Sequence, residues 1–295
     1  MLKEQIQKLL TEKKETQSSL ALALGVSTTV VNQWLHDKYP GDITGLELKI
    51  SKFLEMKAER DEFSLQAETF CDTYGALKYM EAARLAHRDG HIRVCYGDAG
   101  LGKTWAGREY ARQNPGTIFI EASADFSPRV LLQEILIALG RDGHGSNHAM
   151  RREIASILKG SKRLLIVDEA ENLPYRSLEI LRRIYDETEI GILLAGMPRL
   201  LANLKGKRGD FKQLYSRIAG VFSLEKLTED DVAKIIKSRL GDIAEENIEA
   251  FYLQSNANGR TLKFLISETA RLCRINKKPV SVKIIEKAAS LLLRA

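Results

Sequence analysis

The pattern of apolar and polar positions changes twice along the chain. In residues 1–56, apolar positions recur at helical spacing and are interrupted at Gly25 and at Pro40-Gly41, which predicts a domain of short helices. The next residues, 57–72, are mostly charged or polar and are typical of a partly helical linker. From about residue 73, short apolar runs alternate with amphipathic segments, and this alternation predicts a parallel α/β sheet.

Residues 73–224 contain five short apolar runs that predict the strands of this sheet. The middle three are apolar at nearly every position, as expected for strands that are covered on both faces. Amphipathic segments between the runs predict helices that cover the sheet. The predicted strands are His91–Tyr96, Thr117–Glu121, Leu164–Val167, Ile190–Ala195 and Val221–Leu224, and the predicted helices are 103–113, 128–140, 148–159, 175–187 and 198–204.

After residue 224 the strand-like runs stop, which predicts a helical domain over residues 225–295. Thr228 and Asp231 have the spacing of a capping box, in which each side chain bonds to the other residue's backbone N–H. The predicted helices are 228–240, 244–255, 261–275 and 281–293.

Composition and charge narrow the class of protein. The 295 residues are 44% hydrophobic, and no apolar run approaches the roughly 20 residues of a membrane helix. Three distant cysteines exclude a disulfide framework and indicate a reducing compartment, by default the cytoplasm. The net charge is +6, yet residues 260–295 alone hold 9 Lys/Arg and 2 Glu. This basic end is compatible with a polyanionic partner, most often nucleic acid, and equally with a solvated helix face.

A phosphate-binding loop is predicted between the first strand and the helix that follows it. The run from Gly97 to Thr104, GDAGLGKT, fits the pattern G-x-x-x-x-G-K-[ST]. Glycines let backbone N–H groups approach phosphate oxygens, and the helix N-terminus adds positive potential. Lys103 is expected to reach the β- and γ-phosphates, and Thr104 to bind Mg²⁺. The predicted nucleotide contacts are Gly97, Asp98, Ala99, Gly100, Leu101, Gly102, Lys103, Thr104 and Trp105.

Two carboxylates follow the apolar run Leu164–Val167, which places them at the carboxyl edge of the sheet, where ligands of α/β proteins bind. Asp168 is expected to hold Mg²⁺, and Glu169 to orient or deprotonate an attacking water. Taken alone, the pair is also compatible with a solvated helix start. Together with the phosphate loop, it predicts hydrolysis of a nucleoside triphosphate.

These motifs, followed by a helical C-terminal domain, resemble the AAA+ ATPases. Within them, the runs GDAGLGKTWAGREY, LLIVDEAENL and FKQLYSRIAG, with an N-terminal module ending in Asp37-Lys38-Tyr39, resemble the Mu B-type target-DNA activators of transposition over roughly residues 1–290. The resemblance implies an α/β fold: an AAA+ P-loop core (73–224) with a parallel five-stranded sheet, a C-terminal helical lid (225–295) and a small all-α helix-turn-helix domain (1–56).

The resemblance also implies ATP hydrolysis where subunits meet, with a neighbour's arginine completing the site. Arg217, just before the last strand, matches this arginine, and Arg208 is the second choice. Arg260 matches a second arginine, at the start of the lid's third helix. The sequence departs from the family after the fourth strand, where Met197 replaces a polar residue that contacts the γ-phosphate. A thioether donates no hydrogen bond, so we expect either slow hydrolysis or a neighbouring backbone group or side chain that takes the place of the polar residue.

Residues 17–36 fit a helix-turn-helix. Counting from Gln17, the small residue at position five is Ala21 and the turn glycine at position nine is Gly25. The second helix carries hydroxyl and amide side chains suited to phosphates and base edges. Residues 1–62 have no excess of positive charge, so docking to a protein is the alternative to DNA binding. The candidate DNA contacts are Thr28, Thr29, Asn32 and Gln33.

Further basic clusters could contact the DNA backbone without reading sequence. Each of them is also compatible with a solvated charge cluster. They comprise Arg151 and Arg152, the loop residues Lys205, Lys207 and Arg208, and Lys277 and Lys278 near the C-terminus.

Together these features predict an ATP- and Mg²⁺-dependent ATPase that assembles on double-stranded DNA as a ring or helical filament, largely without sequence preference. By resemblance, it recruits and stimulates a transposase, and no membrane partner is expected. The first alternative is a replication initiator or helicase loader, which shares the ATPase parts. The second is a helix-turn-helix transcription regulator with an ATPase switch, which would protect one operator instead of coating DNA.

Overall fold

The computed structural model describes residues 2–12, 15–63, 70–205 and 212–292. The chain divides into two compact units, residues 1–67 and 68–295. Each unit has a hydrophobic core of its own. None of the helices in the described ranges is long and apolar enough to cross a bilayer.

The first unit is helical. Gly25 forms the turn between its second and third helices at φ +66°, a left-handed conformation that glycine adopts without strain. The side chains of Thr16 and Ser27 cap these two helices. The last helix has 21 residues, so the prediction of short helices only was wrong, and the first part of the segment 57–72 is helical. The helices are α1 (Leu2–Thr11), α2 (Gln17–Leu24), α3 (Thr28–Leu35) and α4 (Ile43–Phe63).

The second unit is built on the predicted parallel five-stranded sheet, which is confirmed. Its strands are β1 (Ile92–Tyr96), β2 (Thr117–Glu121), β3 (Leu164–Asp168), β4 (Gly191–Gly196) and β5 (Ile218–Ser223), in the order β2-β3-β4-β1-β5. The strands β1 and β4 each begin one residue later than predicted, and β5 begins three residues earlier. The strand β5 lies at the edge of the sheet, and its side chains alternate in exposure. Its sequence is therefore apolar over fewer residues than the strand contains.

Helices cover both faces of the sheet. On one face lie α5 (Tyr74–Asp89) and α6 (Lys103–Gln113), and on the other α7 (Pro128–Ala138), α8 (Asn147–Leu158) and α9 (Tyr175–Thr188). The short helices α10 (Arg199–Lys205) and α11 (Lys212–Tyr215) lie between β4 and β5.

Helix α5 was not predicted, because alanines and a glycine make up most of its buried face and give little hydrophobic periodicity. The same small residues bring its backbone close to the sheet. A Cβ added at Gly191, in β4, would lie 2.2 Å from the carbonyl oxygen of Ala86.

Four helices follow the sheet in the described residues, and each begins and ends within two residues of its predicted bounds. They are α12 (Glu229–Leu240), α13 (Glu245–Ser255), α14 (Gly259–Asn276) and α15 (Val282–Leu291), here called the lid. The capping box of Thr228 and Asp231 at the start of α12 is confirmed. Apolar side chains such as Phe251, Leu262 and Ile285 are fully buried.

Candidate functional site

The predicted phosphate loop connects the carboxyl end of β1 to the first turn of α6. Gly100 and Gly102 adopt φ values of +85° and +79°, which a residue with a Cβ rarely adopts. A Cβ at Gly97 would lie 2.9 Å from that of Leu224. The glycines therefore serve both the curvature of the loop and its close packing, and they turn the loop towards the N-terminus of a helix, where anions bind.

Lys103 is folded back on this loop. Its Nζ donates hydrogen bonds to the carbonyl oxygens of Gly97, at 2.6 Å, and Asp98, at 2.8 Å. Burial lowers the pKa of Lys103, and nearby acidic groups oppose that shift. An ammonium group that is hydrogen-bonded to carbonyl oxygens in a partly buried site is well placed to bind a phosphate, which offers it full negative charge.

Thr104 and Asp168 meet across the site. The Thr104 hydroxyl donates to Asp168 Oδ2 at 2.6 Å, and Asp168 is 1% exposed. Burial raises the pKa of Asp168, although the Thr104 hydrogen bond opposes this. The other oxygen, Oδ1, is buried and has no hydrogen-bond partner among the described residues. A hydroxyl beside an unsatisfied buried carboxylate oxygen is a donor set that fits Mg²⁺.

Glu169 begins the turn after β3 in a left-handed conformation, with φ +50°. Its exposed side chain accepts a hydrogen bond from Asn172 Nδ2 at Oε2, at 3.1 Å. The same amide group donates to the Ala122 carbonyl at 3.2 Å. Asn172 therefore orients the carboxylate that sequence analysis assigns to the attacking water.

These groups line one cleft, of about 600 Å³, between the sheet edge and the lid. Trp105 is 46% exposed there, and Arg260, at the start of α14, contributes to the lid side of the cleft. Apolar side chains, including Phe70 and Phe264, line another part of the wall. The lining of the cleft thus includes cationic groups suited to phosphates and apolar side chains suited to a nucleotide base.

The lid is hydrogen-bonded directly to the phosphate loop. Asn258 Nδ2 donates to the Ala99 carbonyl at 2.7 Å, and the Gly259 N–H donates to the Gly100 carbonyl at 3.0 Å. The Asn258 Oδ1 also caps the first turn of α14. The start of α14 is therefore fixed to the loop that would hold the phosphates.

Arg217 lies away from this cleft, at the amino end of β5, whereas the phosphate loop lies at the carboxyl end of the parallel strand β1. Its guanidinium pairs with the Asp186 carboxylate, with Nη2 3.0 Å from Oδ2. Arg208, the second choice for the neighbour's arginine, lies outside the described residues. Within one chain, Arg217 and the phosphate loop are therefore not brought together.

The candidate DNA contacts differ in how far their side chains are exposed to solvent. Thr28, Thr29 and Asn32 are exposed along α3, and Gln33 is half-buried. Of the basic pair on α8, Arg152 is exposed, whereas the Arg151 side chain is 14% exposed and pairs with Glu187, which is typical of a structural ion pair. The predicted contacts Lys205, Lys277 and Lys278 are exposed, and Lys207 and Arg208 lie outside the described residues.

The polar side chains of the site that the sequence did not reveal include Glu171, Asn172, Arg199 and Asn258. The spacing of Asn172 three residues after Glu169 was the available signal, because a helical turn brings residues i and i+3 together. For Asn258 the signal was an N-cap residue before Gly259.

The parallel sheet, the phosphate loop and the family model that matches the chain together define a class of protein, an AAA+ P-loop ATPase. The family model of the AAA domain matches residues 86–204. Solved structures with the same fold include the ORC2 protein of Aeropyrum pernix, at 14% identity and TM-score 0.58 over 78% of this chain and 71% of that one. Domain III of the replication initiation protein DnaA of Thermotoga maritima matches at 18% identity and TM-score 0.51, over 74% and 92%.

Proteins of similar sequence identify the family to which the chain belongs. The chain is 31% identical to the Mu-like prophage FluMu DNA transposition protein B of Haemophilus influenzae, over 78% of this chain and 82% of that protein. It is also 31% identical to the ATP-dependent target DNA activator B of Escherichia phage Mu, over 77% and 74%. The chain belongs to this family of Mu B-type DNA transposition proteins.

Proposed function

We propose that this protein is an ATP-dependent target-DNA activator: it assembles on double-stranded DNA when ATP is bound, stimulates a transposase, and leaves DNA after hydrolysis. The observation that carries the proposal is the cleft with Lys103, Thr104, Asp168 and Glu169 in a chain of this family. The names of the relatives supply the link to transposition and to target DNA.

The residues of the cleft divide the work of ATP hydrolysis. Lys103 moves from the loop carbonyls to the β- and γ-phosphates, where it has a stronger acceptor. Thr104 and Asp168 would hold Mg²⁺, which would neutralise the charge that develops on the phosphate oxygens. Glu169 orients or deprotonates the attacking water. The Trp105 ring and the apolar wall exclude water from the rest of the nucleotide.

Arg217 acts in the cleft of a neighbouring subunit. The support is its place at the opposite end of the sheet from its own phosphate loop. Asp186 holds the guanidinium in the single chain, so this carboxylate must release it, wholly or in part, when subunits assemble. Hydrolysis then depends on assembly, because the γ-phosphate receives its last cation from another chain.

DNA is bound mainly through its phosphates. The exposed lysines at the end of α14 and the polar face of α3 supply contacts that position the backbone. Each module alone has few such contacts, and repetition along a ring or filament multiplies them. This explains how binding without sequence preference depends on assembly, and therefore on ATP.

The proposal is tested by footprinting and electron microscopy with long duplex DNA and either ATP or ADP, in wild type and Lys103→Ala. The matched control is Lys159→Ala, an exposed lysine outside the cleft. Wild type and Lys159→Ala should coat DNA with ATP only, and Lys103→Ala should not. Coating by Lys103→Ala would contradict the ATP switch, and protection of one site would favour a transcription regulator.

The assignment of Arg217 is tested by mixing subunits. Arg217→Ala and Lys103→Ala should each be inactive in DNA-stimulated hydrolysis and should regain part of it together, since one chain supplies the arginine and the other the intact cleft. Stimulation of a transposase, compared with recruitment of a helicase, separates the proposed function from a helicase loader.

A further inference from the structure

Met197 directly follows β4, at the position where the family resemblance implies a polar residue that contacts the γ-phosphate, and its thioether donates no hydrogen bond. Arg199, two residues later, begins α10 and lines the same cleft as Lys103 and Asp168. Its side chain is 60% exposed, so the guanidinium faces the cavity without a large desolvation cost.

A buried carboxylate lies beneath this arginine. The Glu171 side chain is 3% exposed, its Oε1 is 3.9 Å from Arg199 Nη2, and its Oε2 has no hydrogen-bond partner among the described residues. Glu171 packs on the end of β4 so tightly that a Cβ at Gly196 would lie 2.0 Å from Oε2. A carboxylate with so little solvent needs nearby positive charge, and Arg199 and Lys103 are the cations beside it.

Asn172 joins Arg199 to Glu169. Arg199 Nη2 donates to Asn172 Oδ1 at 2.8 Å, while Asn172 Nδ2 donates to Glu169 Oε2 at 3.1 Å. Both ends of the amide are used, so its orientation is fixed from the two sides. A displacement of the guanidinium therefore changes the hydrogen bonding of the amide that holds Glu169.

We propose that Arg199 binds the γ-phosphate in its own chain, in place of the polar residue missing at Met197, and couples that phosphate to Glu169 through Asn172. The guanidinium has five N–H donors in a planar fork, and the contact to Asn172 uses one side of it. A γ-phosphate offers a stronger, charged acceptor than the amide oxygen and draws Arg199 towards it. Asn172 is then a positioning residue, whose amide is freed when ATP is bound and held when ADP is bound.

This inference rests on the proposed function, because it assumes that the cleft binds ATP. The first experiment measures dissociation constants for ADP and for a non-hydrolysable ATP analogue with Mg²⁺, using Trp105 fluorescence. Wild type is compared with Arg199→Ala, Arg199→Lys and the control Arg183→Ala, an exposed arginine of α9.

Arg199→Ala should weaken binding of the analogue by about tenfold or more, the effect of one charge-assisted hydrogen bond, and change ADP binding less than about twofold. The affinity of Arg199→Lys for the analogue should lie between those of wild type and Arg199→Ala. Arg183→Ala should bind both nucleotides as wild type does. Equal losses for ADP and the analogue, or no loss, would overturn the inference. A wild type that binds neither nucleotide would instead overturn the proposed function.

The second experiment tests the coupling with single-turnover hydrolysis in Asn172→Ala, Arg199→Ala and the double variant. Asn172→Ala should keep analogue affinity within about twofold of wild type, yet change the rate of the chemical step. The double variant should lose less rate than the product of the two single losses, because the guanidinium and the amide act on Glu169 through one chain of hydrogen bonds. Rate losses that simply multiply would show two independent residues and refute the coupling, and circular dichroism checks that each variant is folded.

Discussion

Asp231 joins the lid to the core, and its removal offers a quantitative test of that junction. The residue is 2% exposed at the start of α12. Its Oδ1 accepts a hydrogen bond from the Tyr74 N–H, the first residue of α5, at 2.8 Å, and its Oδ2 accepts one from the Thr228 N–H at 3.1 Å. A single carboxylate thus connects the helices that begin on the two sides of the cleft.

Asp231→Ala removes both acceptors and leaves two backbone donors unsatisfied. A hydrogen bond to a charged group contributes about 1.5–3 kcal/mol, and the partial exposure of these donors places the sum at about 2–4 kcal/mol. Asp230→Ala is the matched control. It removes the same charge from the same helical turn, but its side chain is exposed, so only the helix-dipole contribution of about 0.3–1 kcal/mol is lost.

The assay is urea unfolding followed by Trp105 fluorescence in a Trp34→Phe background, which leaves one tryptophan in the chain. The Trp34 Nε1 is buried without a hydrogen-bond partner in the described part of the chain, so phenylalanine removes no bond there. We expect a lower midpoint with an unchanged slope for Asp231→Ala. Equal free energies of unfolding for the Asp231→Ala and Asp230→Ala variants would refute the reasoning, since they would assign the effect to charge alone.

Three further outcomes are expected. Burial raises the pKa of the Cys95 thiol to about 12, so iodoacetamide at pH 8 should label Cys95 only on unfolding, whereas nucleotide should slow labelling of Cys71, which lines the cleft; mass spectrometry measures both. Glu169→Gln should bind ATP normally and form DNA complexes that outlast those of wild type in a dissociation assay. Neutralising Lys277 and Lys278 together should reduce the slope of log affinity against log salt by about two if both contact phosphates.

For each of these three predictions, one experimental result would contradict it. Native labelling of the buried thiol would contradict its packing against α5 and α6. Complexes of the glutamine variant that dissociate as fast as wild type would remove the assigned base. An unchanged salt slope would assign the lysines to a solvated or protein-facing surface.

Local sequence signals were sufficient to predict the strands of the sheet and the phosphate loop. The strands β2 and β3 are short and apolar, and the glycines before Lys103 have a spacing that few other structures require. Such features depend on neighbours within a few residues, so the sequence contains them directly. Helix α5 escaped this reasoning, because its buried alanines give little contrast with its exposed face.

The contacts that complete the site join distant residues and carried no local signal. Asp231 meets Tyr74 across 157 positions, and Asn258 meets Ala99 across 159. An aspartate in a capping box or an asparagine before a helix indicates a helix cap, and both residues do cap their helices. Their second contacts, with Tyr74 and Ala99 of the core, follow only from the way the lid packs on the core.

The hydrogen bonds from Asn258 and Gly259 to the phosphate loop have a thermodynamic consequence for the whole cycle. They bind the first turn of the basic helix α14 to the loop that would hold ATP, so the two can respond to ligands together. Linkage requires that such an effect be mutual: a partner on the lid changes nucleotide affinity by the same factor as nucleotide changes affinity for that partner. If bound ATP increases the affinity of the lid for DNA, a bound DNA duplex must in turn increase the affinity of the cleft for ATP by the same factor. The protein would then be loaded with nucleotide first where its polyanionic partner is already present.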